Sequence, residues 1–97
     1  MKYALRLKLA ARELARELTT LRADRDSSKL AIAIYEARLT AVTAARKKWG
    51  AWLKAHPHST PQERRDAKYA LGLPVTRSEC LQQIERIHRD VEARFAS

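Results

Sequence analysis

The sequence predicts an all-α protein, and three features indicate this class. Its 97 residues include two Gly and three Pro, too few for the frequent turns of a β-rich fold. Between Lys2 and His56 there is no Pro and one Gly, and good helix formers predominate. Apolar residues recur along this half with alternating steps of four and three, which is a helical spacing. We therefore expect one helical domain over residues 1–97, with a long helical half over 1–56 and two capped helices over 61–97.

The apolar repeat of the first half keeps a 3.5-residue period over about seven heptads, the spacing of a coiled-coil seam. Eleven of its fourteen positions are apolar, and Arg25, Ser28 and Arg46 are the exceptions. The seam consists of Leu7, Ala11, Leu14, Leu18, Leu21, Arg25, Ser28, Ile32, Tyr35, Leu39, Val42, Arg46, Trp49 and Leu53. The first half is therefore predicted to form a long, basic, coiled-coil-like helix.

The seam is interrupted by one polar segment, Arg22–Lys29, in which Asp26 or Ser27 could cap a new helix. One continuous helix over residues 3–55 would be roughly 80 Å long. The alternative is a turn near residues 24–28 that folds this half into an antiparallel hairpin. Because the seam keeps its register across the segment and no Gly or Pro marks a turn, we expect a continuous or kinked helix.

The segment Leu30–Ala45 is apolar around most of the helix circumference, and only Glu36 and Arg38 in it are charged. A helix of this kind is usually covered on more than one side. We expect the segment at the centre of a bundle or of an oligomer interface. The expected interface residues are Leu30, Ile34, Ala37 and Ala41. Because the second half is too short to cover so long a helix, we also expect self-association, most simply as a homodimer.

The second half contains two helix-start signals. The segment His56–Pro61 must end the first helix, because Pro disfavours helical geometry in the residue before it. Thr60–Glu63 is a capping box, and it predicts a short helix to about Leu71 that Gly72 terminates. Thr76–Glu79 is a second capping box, and it predicts a final helix. The stripe that this helix would present to the first half comprises Leu81, Ile84, Ile87, His88, Val91 and Phe95.

The single cysteine, Cys80, cannot form an internal disulfide, which is typical of a reducing compartment. The start of the chain is basic and lacks the unbroken apolar run of a signal peptide. No apolar stretch approaches the roughly 20 residues that span a bilayer. We therefore expect a cytoplasmic protein with no membrane partner.

Catalysis is not expected, and neither is a metal ion nor an organic cofactor. His56 and His58 have no third convergent ligand, so they are interpreted as part of a polar loop. Cys80 is close to apolar residues of the final helix and is interpreted as a small core residue. The sequence contains no Gly-rich phosphate loop, and several glutamates of the first half have Arg or Lys at helical spacing. The chain is therefore predicted to be a binding protein rather than an enzyme.

The formal net charge is +9, and it is unevenly distributed. Residues 1–56 contain thirteen Lys and Arg against five Asp and Glu, a net charge of +8. Residues 57–97 contain seven against six, a net charge of +1. A surplus concentrated in one half favours a polyanionic partner, which is either nucleic acid or an acidic protein or nucleoprotein surface.

Two groups of residues are candidates for contacts with that partner. The first group combines cations with both tryptophans, a composition that suits phosphate contacts with base stacking. Trp49 continues the seam and is expected to pack inside, whereas Trp52 lies off the seam and is expected to stack or anchor. The candidate contacts of this group are Arg46, Lys47, Lys48, Trp52 and Lys54. The second group is a cationic stripe along the same helix, formed by Arg12, Arg16, Arg22, Arg25 and Lys29.

The leading functional hypothesis is a nucleic-acid-associated protein or a nucleoprotein-complex subunit that binds through its cationic helix surface. A second hypothesis is a small protein-binding adaptor or inhibitor, of the type that mobile elements encode, which occludes a surface of a larger partner. The third hypothesis is a structural coiled-coil spacer without a specific ligand.

Overall fold

The computed structural model describes residues 2–96, which form four helices joined by short connections. The helices are α1, Tyr3–Ala23; α2, Lys29–Ala55; α3, Pro61–Ala70; and α4, Arg77–Ala96. No strand occurs within residues 2–96, so the predicted all-α class is confirmed. None of these four helices combines the length and the hydropathy that crossing a bilayer requires.

The first half is a helical hairpin, so the expected continuous helix is wrong. α1 ends where Asp24 adopts an extended backbone conformation, with ψ of 119°. The Asp24 carboxylate accepts a hydrogen bond from the Asp26 N–H at 2.9 Å, and the Ser28 hydroxyl accepts one from the Ala31 N–H at 3.0 Å. These side chains satisfy backbone groups that a turn would otherwise expose, so the chain reverses without Gly or Pro. The N-cap of α2 is therefore Ser28 rather than Asp26 or Ser27.

The two helices of the hairpin, α1 and α2, pack against each other in antiparallel orientation. At one end the Tyr3 ring of α1 meets the Trp49 ring of α2 edge-on, with centroids 5.7 Å apart. At the other end an Arg22 nitrogen lies 3.7 Å from a Glu36 oxygen. Between them Leu18, a seam residue of α1, is only 3% exposed. α1 thus buries part of its seam, whereas α2 buries Trp49 of the seam together with Ile34 and Ala45, which lie off it.

The apolar segment of α2 lies at the centre of the bundle, one of the two positions predicted for it. α2 contacts α1 and also α4, so its own chain covers it on two sides. Ile34 of α2 and Val91 of α4 are buried, and the other three expected interface residues are half-buried. Those three residues are Leu30, Ala37 and Ala41. The homodimer stays a prediction. Its premise is one helix too long for the second half to cover, and this premise does not hold because the first half forms two helices.

Both capping boxes of the second half are present. The Thr60 hydroxyl accepts a hydrogen bond from the Glu63 N–H at 3.1 Å, and the Glu63 carboxylate accepts one from the Thr60 N–H at 3.0 Å. Thr76 and Glu79 form the same reciprocal pair at 3.1 and 2.8 Å. Because these bonds favour the charged carboxylates, they hold the pKa of Glu63 and Glu79 below the ordinary value. α3 ends before Gly72, whose φ of +70° is a left-handed geometry that glycine adopts without strain.

The start of α1 depends on tertiary packing rather than on a local cap. Its N-cap, Lys2, makes no side-chain capping bond, and its first turn contains no acidic residue. Tyr3 instead belongs to a buried cluster with Ala45, Trp49, Ala67 and Leu73. The Tyr3 hydroxyl donates a 2.8 Å hydrogen bond to the Pro74 carbonyl. Tyr3 therefore fixes α1 to the end of α2, to α3 and to the connection before α4.

Replacement of Tyr3 by Phe tests this role, because it keeps the ring and removes the hydroxyl that satisfies the Pro74 carbonyl. We expect Tyr3→Phe to lower the free energy of unfolding by about 1 kcal/mol, measured by urea denaturation. Tyr69→Phe is the matched control, since Tyr69 is 60% exposed. We expect the control to change the free energy of unfolding by less than about 0.5 kcal/mol. Equal losses in the two variants would contradict the role of Tyr3.

The capping carboxylates predict a sensitivity to acid. Because their folded-state pKa lies below the unfolded value, their stabilisation is present above the unfolded pKa and is lost as the pH falls through the folded pKa. We expect the Tm of the wild type to fall more between neutral pH and about pH 3 than that of Glu63→Gln/Glu79→Gln, whose amides do not titrate. Glu85→Gln, on the exposed face of α4, should keep the wild-type profile. Superimposable profiles of the wild type and the double variant would refute the assignment.

Candidate nucleic-acid interface

The hairpin brings cations from both ends of the first half to one end of the bundle. Lys2, the N-cap of α1, and Lys8 of α1 line a groove together with Arg46 of α2. The groove has a volume of about 450 Å³, and its other walls are Ala4, Leu5, Leu7, Trp49 and Gly50. The remaining cations of the last turns of α2 are exposed to solvent: Lys47, Lys48 and Lys54.

α3 adds two cations to the same end. Arg64 and Lys68, one helical turn apart, line a second groove with Lys2. This groove has a volume of about 510 Å³, and its other walls are Tyr3, Ala4, Trp49 and Leu53. These groups form the cationic end of the bundle, which comprises Lys2, Lys8, Arg46, Lys47, Lys48, Lys54, Arg64 and Lys68.

Sequence reasoning missed Arg64 and Lys68, because the second half is nearly neutral when it is counted as a whole. The carboxylates of α3 are engaged with other partners: Glu63 closes the capping box, and Asp66 accepts a 2.9 Å hydrogen bond from the Gln62 amide. The four-residue spacing of Arg64 and Lys68 places them on one face of a capped helix. That spacing is the signal in the sequence that could have identified them.

The ammonium group of Lys68 is held over two aromatic rings. Its Nζ lies 4.7 Å from the Tyr3 ring centroid and 5.5 Å from the Trp49 ring centroid. Burial, and then repulsion by nearby arginines of which Arg6 contributes most, lowers the pKa of Lys68. No carboxylate within residues 2–96 forms an ion pair with it. Positive charge therefore accumulates at this position without being neutralised.

Both tryptophans are engaged within the chain. Trp49 is 3% exposed, in keeping with its seam position. The Trp52 ring lies parallel to the Trp49 ring, with centroids 5.3 Å apart, and the His56 ring stacks on it from the following turn at 4.3 Å. The Nδ1 atom of His56 lies 2.9 Å from the Trp52 carbonyl oxygen. Both faces of Trp52 are therefore covered, and stacking of a base on Trp52 would require displacement of His56.

The predicted cationic stripe is divided between different parts of the bundle. Arg22, Arg25 and Lys29 lie at the hairpin turn, and Lys29 is about 25 Å from Lys47 of the cationic end along α2. Arg12 and Arg16 are exposed midway along α1. The expectation of one continuous cationic helix surface therefore does not hold. Because the chain reverses at residues 24–28, its cations form separate groups on a body 49 Å long.

Gly50 is an exposed glycine in the interior of α2, on the wall of the first groove. Glycine in a helix interior is less favourable than alanine by about 1 kcal/mol. A Cβ at this position would meet no atom within 4 Å, so no neighbour within residues 2–96 requires the glycine. Bare backbone in a groove lined by cations permits the close approach of a ligand.

Comparisons of the chain with protein-family models, with curated proteins and with solved structures found no significant match. Functional assignment therefore depends on the chemistry of the cationic end. Its ammonium and guanidinium groups are the donors that bind phosphate oxygens in proteins. Within residues 2–96 no three His, Cys, Asp or Glu side chains gather in a way that could hold a metal ion.

The helical geometry at Gly50 predicts a stabilising substitution. We expect Gly50→Ala to raise the free energy of unfolding by about 1 kcal/mol, because alanine has less backbone freedom to lose and meets no steric obstacle. For a domain of this size the Tm should rise by about 4–8 °C, measured by circular dichroism. Ala51→Gly, at the next exposed position of α2, should lower the Tm by a similar amount. A lower Tm for Gly50→Ala would contradict an unobstructed helical site.

Proposed function

We propose that the protein binds nucleic acid, without catalysis, through phosphate contacts of its cationic end. The observation that carries this proposal is the convergence of Lys and Arg from α1, α2 and α3 on one end of the bundle. Neutralisation of phosphates by such side chains releases counterions and supplies most of the affinity of non-specific binding. The contacts predicted from the sequence at this end are Arg46, Lys47, Lys48 and Lys54. Arg12 and Arg16 are exposed midway along α1 and are not part of the cationic end.

The engaged tryptophans favour a duplex over a single strand as the ligand. Proteins that bind single strands typically offer aromatic faces on which the bases stack. Here Trp49 is buried and both faces of Trp52 are covered, so the cationic end offers donors for phosphates rather than platforms for bases. Phosphate contacts position a protein on the duplex but carry no sequence information directly. We therefore expect a weak sequence preference, with Trp52 as an internal anchor of the site.

Anisotropy titrations of short labelled DNA and RNA duplexes, run at several salt concentrations, test the proposal. We expect wild-type affinity to fall linearly with salt on logarithmic axes. Lys47→Gln/Lys48→Gln should reduce the slope by up to about 1.8, because each phosphate contact contributes about 0.9. Lack of salt-dependent binding by the wild type at low ionic strength would overturn the proposed function.

A matched control separates local contacts from net charge. Arg25→Gln/Lys29→Gln removes the same charge at the hairpin turn, and we expect it to leave the slope nearly unchanged. Equal effects of the two double variants would show that total charge, and not the cationic end, governs binding. A structural spacer, by contrast, predicts wild-type function for both variants.

A second candidate, a small adaptor or inhibitor that occludes a partner protein, is favoured by one observation. Leu5 and Leu9, one turn apart on α1, are 45% and 40% exposed, and Leu5 lines the first groove beside Arg46. Apolar side chains next to cations suit an acidic protein surface that provides an apolar pocket. A stoichiometric protein partner that resists nuclease and high salt, and that Leu5→Ser/Leu9→Ser loses, would support this candidate. Duplex binding should survive in the same variant.

A further inference from the structure

The groove between the start of α1 and α3 differs from a general basic surface. Three cations line it, Lys2, Arg64 and Lys68, and no acidic residue does. The groove between α1 and α4 has a mixed lining instead, in which Glu13 and Glu17 accompany its arginines. A volume of about 510 Å³ is within the range of small-ligand sites. The first of these two grooves is therefore lined by positive charges alone, whereas the second has charges of both signs.

Arg64 is oriented for an anion by a contact on one side of its guanidinium group. Its Nη1 atom donates to the Ser59 carbonyl and lies 3.4 Å from the Ser59 hydroxyl. No hydrogen bond within residues 2–96 uses its Nη2 or Nε donors. A half-buried guanidinium that is tethered at one nitrogen has lost part of its conformational freedom before a ligand arrives. Its remaining donors suit the paired oxygens of a phosphate.

Lys68 is likewise positioned before any ligand binds. The Tyr3 and Trp49 rings hold its ammonium group at the wall of the groove, and both rings belong to the buried cluster. Nearby arginines repel it, and partial burial removes some of its hydration. An anion with two negative charges would relieve this repulsion more than a monovalent ion such as chloride. A phosphomonoester carries nearly two charges at neutral pH.

We propose that Lys2, Arg64 and Lys68 form a site for the dianionic phosphate group of a phosphomonoester. This inference deepens the proposed function, and rests on it, where the group is the terminal phosphate of a nucleic-acid strand. A free phosphorylated small molecule carries the same group and would use the same donors. The site is distinct from the Lys47 and Lys48 contacts, which need only internal phosphates of a duplex.

Titration of the whole protein with inorganic phosphate, at constant ionic strength and with chloride as the reference, tests the site. Tryptophan fluorescence is the readout, because Trp49 lines the groove. We expect Lys68→Met and Arg64→Gln each to weaken phosphate binding by about tenfold or more, since each removes a charge-assisted hydrogen bond. Lys2→Gln, at an exposed position outside the buried cluster, gives a third variant if either of the others fails to fold.

Arg65→Gln is the matched control on the same helix. Arg65 is exposed, and its guanidinium donates a 2.7 Å hydrogen bond to Gln62 rather than facing the groove. We expect this variant to bind phosphate within about twofold of the wild type. Equal weakening by Arg65→Gln and Arg64→Gln, or no saturable phosphate binding by the wild type, would overturn the site.

Two otherwise identical duplexes, one ending in a 5′-phosphate and one in a 5′-hydroxyl, identify the source of the group. Tighter binding of the phosphorylated duplex, abolished by Lys68→Met, supports a strand terminus. Equal binding of the two duplexes, with phosphate binding intact, supports a free phosphorylated compound. Equal binding without any phosphate binding overturns this inference and leaves the proposed function standing. Phosphate binding without duplex binding overturns the proposed function and leaves the phosphate site standing.

Discussion

The edge-to-face contact between Tyr3 and Trp49 is the constraint on which the cationic end depends. The N-cap of α1 is Lys2, a cation at the positive end of the helix dipole that makes no side-chain capping bond, which is locally unfavourable. Burial of the Tyr3 ring and its hydrogen bond to Pro74 offset this cost. Because the same cluster includes Ala67 of α3, it also sets the position of α3 beside α1. The two grooves exist because these elements meet at one point.

The parts of the fold that were predictable are those that neighbouring residues determine. A capping box needs only two residues three positions apart, so Thr60–Glu63 and Thr76–Glu79 could be identified from the sequence. The turn at Asp24–Ser28 could not be identified in this way. Polar side chains at such a position are compatible either with an exposed helix or with a break, and the packing of α1 on α2 decides between them. A seam that keeps its register is compatible with an antiparallel hairpin as well as with one continuous helix.

The candidate site was predictable to the same extent. Exposure of Lys47 and Lys48 follows from the periodicity of α2, because both lie off the seam. The contribution of Arg64 and Lys68 depends on where α3 packs, and a charge count over the second half conceals it. The covered faces of Trp52 depend on the His56 ring, which lies beyond the last turn of α2. Side-chain positions of this kind follow from the folded chain rather than from residue spacing.

The separation of the cationic end from the hairpin turn also gives the molecule a direction. The body measures 49 Å along its longest axis and about half of that across. A polyanion would attract the cationic end first and orient the long axis away from itself. The hairpin turn would then project about 25 Å beyond Lys47 and Lys48 along α2. Copies bound in this way would stand out from a duplex as short rods. They would increase the diameter of the complex rather than lie along a groove of the duplex.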